Sequence, residues 1–398
     1  MKPRRLLSFV HRYSGLLIAL FVLLVALTGS LLVFSAELDR WLNPQLLRID
    51  LPEGIRARPL AEQLAAAEAS QRAAPDGPWQ AFSLSQPRFA DSPVSVLFRR
   101  PDAARQGQWR WRQVLVDPYQ ARVLGQRERS QHDLSRAGLL HLLSDLHGKL
   151  LLGPAGLSLM GCVAVLWLVA SLLGLYLWWP GRAKLRLALS IKWRAGRARL
   201  LFDLHRAGGF YSAPVLLFVA ASGIYLAWPG EVRHAVATWS SLQGSAAPKL
   251  ELPATRRTLS PDAAAAIAQA EFPDGELRRI GLPVGPRDPY TVNLRLPGEL
   301  NRPSPGRSAV WIDPSDGRVL KRYDARQASA GESFLAWQTP LHTGYAFGFA
   351  GRLAVCLGGL IAGLLAISGA MLWWRRQRPR RTISSLSLPT CTLPGVRP

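Results

Sequence analysis

Four stretches of this chain run apolar for the length of a membrane crossing: Leu6–Phe34, Leu157–Trp179, Phe210–Trp228 and Leu353–Trp374. A helix needs about 20 such residues to cross the hydrocarbon core. Each stretch is almost free of charge, whereas a helix on the surface of a soluble domain carries a polar face. Lipid offers the backbone no water to bond, so spans of this kind must be helices. The stretches therefore predict an all-α four-helix transmembrane bundle.

The net charge of +23 invites a nucleic-acid reading, and its distribution removes it. Residues 35–150 hold 16 Lys/Arg against 13 Asp/Glu, and residues 230–345 hold 14 against 12. The other segments hold 19 basic residues and a single acid, Asp203. The excess lies at Lys2-Arg4-Arg5, in the loop Arg182–Arg199 and in the tail Arg375–Arg381. Basic runs that alternate with near-neutral segments across successive spans follow the positive-inside rule. They predict a membrane protein with both termini and the middle loop cytoplasmic, and with two large segments outside. The basic runs suit anionic lipid headgroups; no nucleic-acid partner is expected. The first apolar run is longer than a signal-peptide core and is echoed by the third span, so it reads as a retained anchor.

The expected order is cytoplasmic N-terminus and first span (1–34), outer module (35–150), second span (151–180) and basic loop (181–204). The third span (205–229), second outer module (230–345), fourth span (346–375) and basic tail (376–398) follow. The second half echoes the first. His11-Arg12 and Gly15 return as His205-Arg206 and Gly209, an offset of 194; Gly29 returns as Gly223. Leu146-His147, Gly153 and Gly156 return as Leu341-His342, Gly348 and Gly351, an offset of 195. Gly174 and Trp178-Trp179 return as Gly369 and Trp373-Trp374. Outside the spans, Asp117-Pro118 and Arg122-Val123-Leu124 return as Asp313-Pro314 and Arg318-Val319-Leu320.

Each outer segment reads as a small α+β module. An Ala-rich helix comes first, Pro59–Arg72 in one and Ser260–Glu271 in the other, the second with Ser-Pro at its start. Alternating stretches such as Trp109–Val116 and Tyr290–Leu296 read as strands. Asp-Pro at the first two positions of the repeated element reads as a turn. One copy has Gly317 where the other has Ala121, so a positive φ is not required by the pattern alone.

Both copies start on the same side, which predicts parallel repeats about an axis along the membrane normal. Equivalent residues then lie at equal depth on opposite sides of that axis. His11 faces His205 near one surface, and His147 faces His342 near the other. Two imidazoles on facing helices are an axial ligand set for haem iron. Gly15 and Gly209, and Gly153, Gly156, Gly348 and Gly351, are small residues that make room for a flat ring. Arg12 and Arg206 are candidate donors to its propionates. A zinc site wants about four ligands, and the spans hold no Asp or Glu. His132 and His234 lack repeat partners. So does His141, six residues before His147, which stays open as an alternative ligand or a proton donor. The Trp pairs read as an aromatic belt. Cys162, Cys356 and Cys391 form no CxxC motif, so redox chemistry must rest on a bound cofactor.

The same residues resemble the PepSY-associated transmembrane proteins. The resemblance rests on His-Arg-x-x-Gly in the first span, Leu-His…Gly-Pro-x-Gly before the second and its Leu-Trp-Trp-Pro exit. It also rests on Asp203-Leu204-His205-Arg206 and on Leu341-His342-Thr343-Gly344. It implies a bacterial inner-membrane protein with periplasmic PepSY-like modules, of the haem-containing ferric-siderophore reductase type. Two haem b groups would be held by His11, His205, His147 and His342, with a ferric siderophore as acceptor. Some related proteins carry a cytoplasmic flavin domain; here the cytoplasmic parts are short and no dinucleotide fingerprint follows a strand. The implied electron donor is quinol or a separate cytoplasmic flavoprotein. Trp109, Arg110, Trp111 and Trp311 are candidate chelate contacts. Two other classes stay open: a membrane-anchored regulator restraining a periplasmic peptidase, and a transporter of a metal complex.

Overall fold

The computed structural model describes residues 3–377 apart from 53, 73, 104–106, 130–132, 243, 245, 252–258 and 301–305. His132, Cys391 and Lys2 lie outside the described residues, as does the tail beyond 377. The chain opens with α1 (Pro3–Leu32), α2 (Ser35–Leu42), α3 (Pro44–Leu47) and α4 (Leu60–Arg72). Four strands follow, β1 (Gln80–Ser85), β2 (Val94–Pro101), β3 (Trp109–Asp117) and β4 (Arg122–Glu128). Then come α5 (Leu139–Lys149), α6 (Gly153–Trp178), α7 (Leu185–Leu189), α8 (Gly196–Ala227), α9 (Pro229–Ala237) and α10 (Pro261–Glu271). The last elements are β5 (Glu276–Gly281), β6 (Tyr290–Arg295), β7 (Ser308–Ile312), β8 (Val319–Tyr323), α11 (Ala330–Thr343) and α12 (Gly348–Gln377).

Helices α1, α6, α8 and α12 are long and apolar enough to cross a membrane. They run past the apolar stretches because flanking polar residues continue the helix into the interface. The third starts at Gly196, nine residues before His205. Around the bundle, α1 packs on α12 and α6, and α8 packs on the same two helices. Thus α1 and α8 are diagonal partners. Their mid-depth core joins Ile18, Val22 and Ala26 to Val163, Leu216 and Ala362.

The strands form one antiparallel sheet of order β4-β3-β2-β1-β5-β6-β7-β8. The two expected modules are therefore fused edge to edge, which hides an edge of each that would otherwise stand unpaired. Leu84 of β1 pairs with Ile280 of β5, flanked by Ser83↔Gly281 and Ser85↔Arg279. Irregularities fall at Ala81/Ser83 and at Leu277/Arg279. A second set falls at Leu115/Val116 and at Trp311/Ile312. All these correspondences keep an offset of 196. At the helices the offset is 201: Arg58 N–H bonds Pro118 O, and Leu259 N–H bonds Pro314 O. The spacing is thus less uniform than the repeated motifs suggest.

Helices α4 and α10 cover one face of the sheet. Phe98, Val114 and Val116 pack beneath α4, and Val292, Leu294 and Ile312 beneath α10. Ser260 caps α10 by accepting from Ala263 N, with Pro261 at the first helical position. Asp262 reaches across to accept from Leu60 N and Ala61 N of α4, at 2.7 and 2.8 Å. In the Asp-Pro turns, Gly317 has φ +78° and Ala121 has φ +50°. Both copies therefore use the left-handed region, and Ala121 bears the Cβ strain that glycine avoids.

Candidate functional site

The second histidine of each pair comes from a short helix ahead of a span. Helix α5 ends in two left-handed leucines, Leu150 (φ +52°) and Leu151 (φ +58°), before Gly153 (φ +60°) starts α6. Helix α11 ends at Gly344 (φ +78°) and α12 starts at Gly348 (φ +61°). These elbows fold back onto the helices that follow. A Cβ at Gly156 would stand 1.7 Å from Lys149 O, and one at Gly351 would stand 2.3 Å from Gly344 O. Gly156 and Gly351 thus permit a backbone crossing. They do not make room for a porphyrin, as the sequence suggested, and nothing lies within 4 Å of a Cβ at Gly153 or Gly348.

His11 of α1 meets His205 of α8 with ring centres 6.5 Å apart and planes at 71°. His147 of α5 meets His342 of α11 at 6.2 Å and 68°. Two metal–imidazole bonds of about 2.0–2.1 Å, with about 1.1 Å from nitrogen to ring centre on each side, place ring centres about 6.3 Å apart. Both separations match that value.

Hydrogen bonds orient each ring. His11 Nδ1–H donates to Ala170 O at 2.9 Å, and His342 Nδ1–H to Val219 O at 3.1 Å. A carbonyl only accepts, so Nδ1 carries the proton in both. His147 Nδ1 lies 3.1 Å from Thr28 Oγ1, whose own hydrogen goes to Leu24 O. His205 Nδ1 lies 2.9 Å from Ser368 Oγ, which donates to Leu365 O. Those hydroxyls therefore accept from the rings. In all four histidines the lone pair is left on Nε2, the arrangement of metal-binding imidazoles whose other nitrogen is anchored.

Each ring edge rests on a glycine of a neighbouring helix. A Cβ would come within 3.1 Å of His11 Cε1 at Gly174 and 3.3 Å of His205 Cε1 at Gly369. It would come within 2.8 Å of His147 Cε1 at Gly29 and 3.6 Å of His342 Cε1 at Gly223. The two pairs sit at different depths. Thr28 and Gly29 follow His11 by 17 and 18 residues, about 26 Å along a helix. Ser222 and Gly223 follow His205 by the same numbers.

The His11–His205 pair opens on a cavity of about 490 Å³, within the usual range of about 300–1,000 Å³ for ligand pockets. Gly15 and Gly209 line it, as expected. So do Arg4, Arg12, Arg206 and Arg376. Arg206 is partly committed: it pairs with Asp203 at 3.1 Å and donates to Leu187 O and Ser190 O. Trp178 and Trp373 also line the cavity, and their indole N–H groups are buried without a partner. Trp179 and Trp374 are exposed. The aromatic-belt reading therefore fits only the second Trp of each pair.

His141 is half-buried on α5 with Nδ1 unpartnered. Burial, then the Arg127 and Arg129 charges, push it down to about 4. It stands six residues from His147 and outside both pairs, and His234 is exposed on α9. Of the candidate chelate contacts, Trp311 is buried against Ala309 and Tyr323. Arg110 pairs with Glu128 at 2.5 Å. Among the described residues no three His, Cys, Asp or Glu side chains gather as a metal cluster. Each histidine pair offers two donors only, a set that suits a metal whose remaining ligands come with it. Thr28, Ser222, whose Oγ lies 3.1 Å from His342 Nδ1, and the four glycine seats were not singled out as site residues; the glycines repeat in the sequence, Thr28 returns as Ser222, and Ser368 has leucine at its counterpart position.

The family model of the PepSY-associated TM region matches residues 9–376. No curated protein matches the chain.

Proposed function

The chain belongs to the PepSY-associated transmembrane family, and on that footing we propose an inner-membrane haem protein that passes electrons to a ferric siderophore in the periplasm. The observation that carries the proposal is the facing histidine pair repeated at two depths, with every Nδ1–H already anchored. His11 with His205 would hold one haem b, and His147 with His342 a second. Bound there, haem supplies a one-electron Fe(III)/Fe(II) couple.

The chain's own residues do the holding and the insulating. Nδ1–H donors fix each ring and raise the basicity of Nε2. The indole N–H groups of Trp178 and Trp373, with Arg12, suit carboxylates at the porphyrin edge. The apolar layer of Val22, Val163, Leu216 and Ala362 separates the pairs and excludes water, which limits proton leakage through the bundle. Parallel repeats account for the diagonal partners and for the shared bulges of the sheet. The distribution of charge supports a periplasmic sheet of two fused PepSY-like modules, with the basic loops in the cytoplasm. Quinol or a separate flavoprotein would then donate on the cytoplasmic side. Reduction of Fe(III) at the periplasmic face weakens chelation and releases Fe(II).

The test is the absorption spectrum of protein expressed with ample haem. The expected result is a Soret band of a six-coordinate haem at two haems per chain. His342→Ala removes one haem and leaves the His11–His205 site intact. A wild type without a Soret band ends the redox reading, and a His342→Ala protein that keeps both haems ends the pairing. Anaerobic oxidation of the reduced protein by a panel of ferric siderophores tests the acceptor.

A further inference from the structure

The sheet face opposite α4 and α10 is charged and aromatic where a core would be apolar. Arg99 of β2 pairs in register with Trp111 of β3, and Arg129 donates its backbone N–H to Trp111 O at 3.0 Å. Phe82 meets Trp111 edge to face at 5.0 Å. The Arg99 and Arg279 guanidinium carbons stand 5.1 and 5.7 Å from the Phe82 ring centre. Arg99 also lies 4.2 Å from the Trp109 ring. This face looks towards the bundle: Arg127, on the same face, binds Asp39 of α2 at 2.8 Å.

Three cations in this group form no ion pair. Among the described residues, no carboxylate lies within ion-pair distance of Arg99, Arg129 or Arg279, and Arg99 Nε is buried without a partner. Nearby acids are engaged elsewhere: Asp39 with Arg127, Asp145 with Lys149, and Asp288 with Lys249. Desolvation pushes the Arg129 and Arg279 guanidinium groups down, with further repulsion from Arg127 on Arg129 and from Arg129 on Arg279. Yet Arg129 is exposed, so the group is open to solvent. Unpaired guanidinium groups near aromatic faces are a demand for a planar anion. His141 of α5 feels the Arg129 charge and stands six residues, about 9 Å of helix, before His147.

We propose that Arg99, Arg129 and Arg279, with Phe82 and Trp111, form the docking site of an anionic, aromatic ferric chelate of the catecholate class. The proposal rests on the ferric-chelate reading above and narrows its substrate. Guanidinium groups bond the phenolate oxygens, and the two aromatic side chains contact the catechol rings. A neutral hydroxamate chelate offers neither charge nor ring and is disfavoured. Arg127 of the same face donates to Ala137 O just before α5, so the site lies on the side of the helix that carries His147.

The test uses full-length protein in nanodiscs and gallium(III) complexes, which bind without being reduced. The probes are a hexadentate tris-catecholate of charge −3 and a neutral hexadentate tris-hydroxamate. The wild type is expected to bind the tris-catecholate at least tenfold more tightly. Arg129→Gln, at an exposed position, weakens it at least threefold. The triple Arg99→Gln, Arg129→Gln, Arg279→Gln variant weakens it at least tenfold, and the triple lysine variant recovers part of the loss. Equal binding of the two probes overturns the proposal, as does unchanged binding by Arg129→Gln. The carboxylates of a haem held by His147 and His342 are another source of such an anion. If they fill the site, Arg129→Gln loosens that haem and leaves probe binding unchanged, which also overturns it. Soret absorbance on the same samples reports separately on the haem proposal.

Discussion

Adding one methyl group at each glycine seat grades the histidine sites by a known distance. Carbon atoms rest at about 3.5–4.0 Å. The Cβ of Gly29→Ala would stand 2.8 Å from His147 Cε1, so the ring must retreat by about 0.7–1.2 Å. That exceeds the roughly 0.5 Å within which a site's ligands must be held, and it breaks the 3.1 Å bond to Thr28. Overpacking costs about 1–3 kcal/mol, while replacing a mid-helix glycine returns about 1 kcal/mol. Gly29→Ala should therefore destabilise by about 0–2 kcal/mol and release the haem at His147–His342. Its repeat counterpart, Gly223→Ala, has its Cβ already at 3.6 Å. It should keep both haems and gain up to about 1 kcal/mol. Gly174→Ala and Gly369→Ala, at 3.1 and 3.3 Å, should weaken the other haem, the first more than the second. Haem per chain from the pyridine haemochrome, with thermal unfolding in nanodiscs, measures both effects. Two unshifted haems in Gly29→Ala, or haem loss in Gly223→Ala alone, refutes the reasoning.

Three further outcomes follow from the sheet and α5. Ala121→Gly should raise the unfolding free energy by about 1 kcal/mol by removing left-handed strain, whereas Gly317→Ala should lower it by a similar amount; thermal melts of the two variants check the sign. Arg112→Ala removes a buried guanidinium that bonds Asp76 and Gln71 and stands 4.1 Å from the Trp79 ring. The expected loss is about 2–3 kcal/mol, below the about 3–5 kcal/mol of a fully buried pair because Asp76 and Glu128 can rehydrate; chemical denaturation reads it. For His141 the folded value of about 4 lies below the ordinary 6.5. The unfolded state therefore takes up the proton first, and stability falls as pH drops from about 6.5 towards 4. The groups around it are Arg127, Arg129, Asp39 and Asp145. His141→Phe should flatten that part of the stability–pH profile, and an unchanged profile counts against a buried neutral His141.

Much of the site was legible because membrane physics and repetition are both written locally. Lipid forces a span to be a helix, so length and hydropathy alone identify α1, α6, α8 and α12. Repetition of His11 with His205, and of His147 with His342, marked which imidazoles meet. Trp178 and Trp373 were visible as a repeated pair, yet their role was not. Adjacent residues on a helix point about 100° apart, so one Trp of each pair enters the cavity while its neighbour faces outward. Ser368 left no trace at all: its counterpart position holds leucine, and His11 uses the Ala170 carbonyl instead.

What the amino-acid order alone determined is the set of spans and the four histidines as two pairs. These follow from interactions within one helix or with lipid and water, which need no tertiary information. Only the tertiary structure decided the rest. It decided that His11 and His205 meet across the α1–α8 diagonal, that His147 and His342 meet from α5 and α11, and that Gly29, Gly174, Gly223 and Gly369 seat the rings. It decided that two modules share one sheet through Leu84 and Ile280, leaving Arg99, Arg129 and Arg279 together on its open face. Each of these depends on which helix or strand edge lies beside which. That is settled by packing between segments up to about 200 residues apart, where no local pattern reaches.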